Sequence, residues 1–99
     1  MKLREIAHSR TGDKGNTVNI SVILYDQNNY EMVRKKLSPQ KVKNHFRHIV
    51  KGNIIRYDLP KLGAFNFVMY EALSGGVTRS LALDKHGKSL SSFMLELEI

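Results

Sequence analysis

The sequence predicts an α+β domain, a mostly antiparallel sheet of about five strands with two helices layered on it in the order ββαβαββ. Three observations carry that expectation. Val18, Ile20, Val22 and Leu24 alternate with Asn19, Ser21, Ile23 and Tyr25, the period-2 pattern of a strand with one buried face. Ser38-Pro39 marks a helix start, and Val42, Phe46, Ile49 and Val50 form one apolar stripe behind it. Asp84-Lys85-His86-Gly87-Lys88 reads as a turn into a closing strand in which Phe93, Leu95, Leu97 and Ile99 share a face.

The remaining elements follow in order. Lys2 to His8 is β-compatible and suggests a short first strand. Ala7 to Asn16 then reads as a loop that is also a site: Gly12 and Gly15 permit positive φ, Arg10 and Lys14 supply cations, and Ser9, Thr11 and Asn16 supply short hydrogen-bonding side chains. After the second strand, Asp26-Gln27-Asn28-Asn29 is a polar stop, and Tyr30 to Leu37 fits either a short helix or an extended segment. The helix that begins at Pro39 is expected to run to Gly52, which would supply a left-handed cap, with Lys51 suited to the negative end of the dipole. Ile54 to Asp58 reads as a third strand closed by Leu59-Pro60. Leu62 to Leu73 is apolar nearly all round and about three turns long, which favours a helix buried on two sides, against the sheet and against a second subunit or partner. Gly75-Gly76 breaks it, and Val77 to Asp84 forms a fourth strand paired with the last in a hairpin.

The chain has 99 residues, 41% hydrophobic and 25% charged, which bounds it to one domain with one modest core. A core that small leaves apolar surface that oligomerisation covers. With no cysteine, disulfides, thiol nucleophiles and thiolate metal sites are excluded. No apolar run approaches the roughly 18 residues of a membrane span, and the charged start is unlike a signal sequence, so a cytoplasmic protein without membrane partners is expected. The net charge of +7 is concentrated. Met32 to Tyr57 contains no acid and eight of the 16 cations, leaving eight cations against all nine acids elsewhere. One basic face follows, centred on the Pro39 helix.

The candidate ligand-binding residues are Arg10, Gly12, Lys14, Gly15 and Asn16 from the first loop, with Thr78 and Arg79 from the later Ser74-Gly75-Gly76-Val77-Thr78-Arg79-Ser80 stretch. Arg79 shares a strand face with Leu81 and Leu83, the expected buried side, where a cation needs either a carboxylate such as Asp13 or a bound anion. Convergence of Arg10, Lys14 and Arg79 with the loop amides would hold a carboxylate or phosphate group. The spacing is not a P-loop, because Lys14 precedes Gly15. His8 and Asp13 are the weak candidates for moving a proton. His45 and His48 lie three apart, but no Glu or Cys stands near them, so no metal is expected and no cofactor is implied. Ser9, Ser80, Ser91 and Ser92 lack a nucleophile elbow.

The blocks Arg10-Thr11-Gly12-Asp13-Lys14-Gly15-Asn16, Asn19-Ile20, Leu59-Pro60, Asn66-Phe67, Gly75-Gly76-Val77-Thr78-Arg79-Ser80-Leu81, Leu83-Asp84, Gly87-Lys88 and Leu90-Ser91-Ser92 resemble the C-terminal domain of the acyclic terpene utilisation protein A family. The resemblance implies a ferredoxin-like layered sandwich. It also implies a domain that generally follows a much larger N-terminal one, so this chain is expected to act alone, as a homo-oligomer, or with a separately encoded large subunit. Three function classes follow. The first, an accessory or ligand-binding domain taking a small anionic ligand, is favoured. The second is a small enzyme acting on an acyl thioester or carboxylate, with Arg10, Lys14 and Arg79 holding the anion. The third, nucleic-acid binding through Arg34 to Lys51, is not expected without interleaved aromatics or a recognisable motif.

Overall fold

The stretch expected to be a loop is the first strand of the sheet. In the computed structural model, which describes residues 1–15, 17–72 and 89–99, Ala7–Lys14 forms strand β1 and pairs antiparallel along its whole length with β2, Thr17–Leu24. Lys14 pairs with Thr17, so the chain reverses across two residues, and Gly15 at φ 63° takes the left-handed conformation that such a reversal requires. Polar Ser9 and Thr11 concealed the strand because they occupy the core-facing positions of β1, at the edge of the sheet, where apolar alternation is weakest. The expected first strand before it is instead a 3-10 turn, Leu3–Glu5, closed by Lys2 N–H donating to Glu5 Oε2 at 2.9 Å.

β2 follows its alternation, with Val18, Ile20, Val22 and Leu24 all buried. Beyond it, the Asp26 carboxylate accepts from Asn28 N–H at 2.9 Å and opens a 3-10 turn that leads into α1, Tyr30–Lys36. The next helix, α2, spans Pro39–His45 and starts as expected, with Ser38 Oγ accepting from Lys41 N–H at 3.1 Å. It ends well before Gly52. Gly52 is needed for close approach rather than for a cap: its N–H donates to Tyr70 O at 3.0 Å, and a Cβ there would lie 2.5 Å from the same oxygen.

β3 is Ile54–Leu59, and a 3-10 turn at Pro60–Leu62 leads to β4, Ala64–Met69. β4 corrects the expectation of a buried helix over Leu62 to Leu73. Phe65, Phe67 and Met69 are buried on one side, while Asn66 and Val68 are half-buried on the other. A strand between two neighbours is largely covered along its length and reads as a continuous apolar run, which periodicity alone does not separate from a helix. The closing segment is corrected too. Ser89–Leu95 is a helix, α3, in which Leu90 and Met94, one turn apart, are buried together with Leu97 just beyond it. The Gly75-Gly76 break, the strand over Val77 to Asp84 and the turn to Lys88 lie outside the described residues.

The sheet order is β1-β2-β4-β3, antiparallel throughout. Its core face presents Ala7, Val18, Ile20, Val22, Phe65, Phe67, Met69 and Ile54, and these join Val33, Leu37, Val42, Phe46, Leu90 and Met94 from the helical layer in one cluster. Burial of each large side chain such as Phe65 or Phe67 contributes about 2–3 kcal/mol. The architecture is α+β with four strands and three α-helices among the described residues. The two ends of the chain meet: the Met1 ammonium lies 2.7 Å from Glu98 Oε2, and Ile99 N–H donates to Met1 O at 2.9 Å.

Candidate functional site

Strand alternation sorts the predicted site residues by face. On β1, Arg10 and Gly12 fall on the side away from the core, with His8 before them and position 14 beyond, whereas Ser9, Thr11 and position 13 fall on the core side. Of Asp13 and Lys14 the structure describes the backbone, and their side chains lie outside the described part. The backbone of Gly12 to Lys14 lies in register with Asn19, Val18 and Thr17 in turn, so this stretch is the end of a strand where a loop was expected. Thr78 and Arg79, along with Asn16, lie outside the described residues.

Arg10 is exposed and forms no ion pair among the described residues. Gly12 faces Asn19 directly, and a Cβ at Gly12 would come within 3.2 Å of the Asn19 amide group. His8 is half-buried and stacks on Tyr25 with ring centroids 5.5 Å apart. The face of the β1–β2 pair away from the core thus carries an imidazole, a guanidinium and, four register positions along the ladder from the imidazole, a carboxamide. Position 14 lies on the same side as position 10, roughly 13 Å further along the strand.

The basic window is partly spent on the fold. Arg34 pairs with Glu31 at 2.9 Å, and the hydrogen bond and charge of that glutamate raise the Arg34 pKa. Lys43 Nζ donates to Gly52 O at 2.6 Å. Arg56 turns inward, ion-paired with Asp58 at 2.7 Å and lying over the Phe65 ring. Lys35, Lys36, Lys41 and Lys51 remain on the helical side of the molecule or in the turn that follows. His45 is also structural. Its Nε2 donates to Phe93 O at 2.6 Å and its ring stacks on Phe93, fastening α3 to α2, while His48 Nε2 accepts from Arg47 Nε at 3.3 Å. No group of three potential metal ligands occurs among the described residues.

The residues that the sequence reading missed lie on the opposite half of the same face. Ile55, Tyr57 and Leu59 project from β3 away from the core and are exposed, beside half-buried Val68 of β4 and Ile23 of β2. A depression of about 510 Å³ continues this surface past the end of β3, lined by Asp58, Leu59, Pro60, Lys61 and Leu62. The signal was present in the sequence: Ile54 and Ile55 are adjacent, so a strand through them is apolar on both faces.

The model of the AtuA ferredoxin-like domain family matches residues 1–99, the whole chain. The chain belongs to that family. This AtuA ferredoxin-like domain carries its helices on one face of the sheet, as the family's name implies for the fold. No curated protein and no solved structure matches it. No helix among its described residues is long and apolar enough to cross a membrane.

Proposed function

We propose that this AtuA ferredoxin-like domain is an accessory domain that works by assembly, with itself or with a separately encoded large subunit, and that binds a carboxylate- or phosphate-bearing metabolite along β1. The observation that carries the reading is the position of Arg10. It stands exposed on the side of the sheet opposite the described helices and has no ion-pair partner among the described residues, while Lys2, Arg4, Arg34 and Arg56 each face a carboxylate within 2.9 Å. A guanidinium offers paired donors to an oxyanion, and the Asn19 amide of β2, across from Gly12, adds a neutral donor on the same face of the sheet. Two charge-assisted hydrogen bonds of about 1.5–3 kcal/mol each give binding on the order of millimolar.

Titration with inorganic phosphate and with acetate, followed by amide chemical shifts, tests this. The expected result is saturable shifts clustered at His8 to Asn19, abolished in Arg10→Ala and weakened in Arg10→Lys. Shifts that are absent, or unchanged in Arg10→Ala, overturn the anion site.

A further inference from the structure

We infer that the face of the sheet opposite the described helices, free of helix among the described residues, is the surface on which a second copy of this chain docks, face to face about a two-fold axis running along the strands. The inference rests on the reading of the chain as an assembling domain and names its partner. A chain of net charge +7 meets a second copy of itself most readily where its cations are sparse. β2, β4 and β3 place no charged residue on the helix-free face; they place Thr17, Asn19, Ser21 and Asn66 toward one part of it and Ile23, Val68, Ile55, Tyr57 and Leu59 toward the other. Among the described residues, Arg10 of β1 is the cation of this face. The helical layer, by contrast, carries Lys35, Lys36, Lys41 and Arg47, which repel a like surface.

The area is adequate. Four strands spaced about 4.8 Å apart and six to eight residues long at about 3.4 Å each give a footprint of roughly 400–500 Å² per copy. Two such footprints, extended by exposed Tyr25, Leu62 and Tyr70 at the rim, reach the roughly 1,000 Å² of total buried surface that a specific interface clears. Sheets pack face to face about 10 Å apart with side chains interdigitating, and an axis along the strands sets β1 of each copy over β3 of the other. Arg10 then approaches an aromatic and aliphatic strand rather than its own counterpart, and the β1 anion site lies at the seam of the dimer.

Light scattering coupled to size exclusion tests this with the intact chain and three variants, each checked for an unchanged thermal unfolding transition. Wild type is expected at twice the chain mass. Ile55→Lys and Tyr57→Lys, both at positions 39% and 50% exposed, are expected to elute as folded monomers, and Lys41→Glu on the helical layer is expected to stay dimeric. A monomeric wild type, or a dimer that survives both β3 variants, overturns the inference. A monomer that still binds phosphate through Arg10 overturns it alone and leaves the proposed anion site standing.

Discussion

Arg56 Nε lies 2.7 Å from the Asp58 carboxylate, on the same face of β3, while its terminal nitrogen donates to Arg34 O and Leu37 O at 2.8 and 2.9 Å. Those carbonyls belong to the last turn of α1, so one guanidinium supplies the donors that the helix end lacks and fixes α1 to the edge of the sheet. Its side chain is 15% exposed, and the aspartate keeps the buried cation compensated. Arg56→Met retains the aliphatic stem over Phe65 but removes every donor; the expected cost is about 2–3 kcal/mol in denaturant unfolding. Arg56→Lys recovers little of it, because a single ammonium does not match the geometry of the fork.

Gly52→Ala is expected to destabilise the fold by about 1–3 kcal/mol. The added methyl would sit 2.5 Å from Tyr70 O, a backbone atom held by the Gly52 N–H bond, so neither side yields cheaply. Thermal unfolding reads the effect directly, and an unchanged transition would show that the segment between α2 and β3 shifts freely.

The Tyr30 hydroxyl is buried with no hydrogen-bond partner among the described residues, while its ring stacks on Phe65 at 4.8 Å. Burial first, and then the Asp58 charge, raises its pKa. Tyr30→Phe removes the unsatisfied polar group and preserves the stack, so it is expected to stabilise the protein by about 1 kcal/mol. A loss of stability would show that water or another group satisfies the hydroxyl.

Acid acts through the chain ends. A hydrogen bond from Lys2 and the charge of Arg4 hold the Glu96 carboxyl below its ordinary 4.5, and the Met1 ammonium does the same to Glu98. A folded-state pKa below the unfolded value gives stability that is complete above the unfolded value and is lost as pH falls through the folded one. Glu96→Gln is therefore expected to lower the melting temperature at neutral pH, with the gap to wild type closing as pH falls from about 5 to about 3. A gap that is constant with pH would assign the effect to packing instead.

The legible parts of the sequence were those where one local rule acted alone. β2 alternated cleanly, and Ser38-Pro39 opened α2 as its chemistry dictates. β4 failed because Phe65 and Phe67 face the core while apolar Ala64 and Val68, the one buried and the other half-buried, occupy the opposite face, so the period vanished from the pattern. α3 failed for the converse reason. Phe93, Leu95 and Leu97 happen to alternate, but the buried set is Leu90, Met94 and Leu97 at spacings of four and three. At the site, glycines and charges between Arg10 and Gly15 have the composition of a loop, and only pairing with β2, a non-local fact, makes them a strand. The grouping of exposed Ile55, Tyr57 and Leu59 with Val68 needed the sheet order for the same reason.

The contact between Met1 and Ile99 gives the fold a topological property that its strand order does not: the path of the chain is already almost a ring. Joining the ends through a short flexible linker would exchange one ion pair for a covalent closure and restrict the denatured ensemble rather than the native one. For a loop of 99 residues, loop-closure entropy puts that gain at about 4–5 kcal/mol. The same ring can be reopened at the exposed Gly15 reversal, converting β1 and β2 from a hairpin into the two terminal strands of a circular permutant.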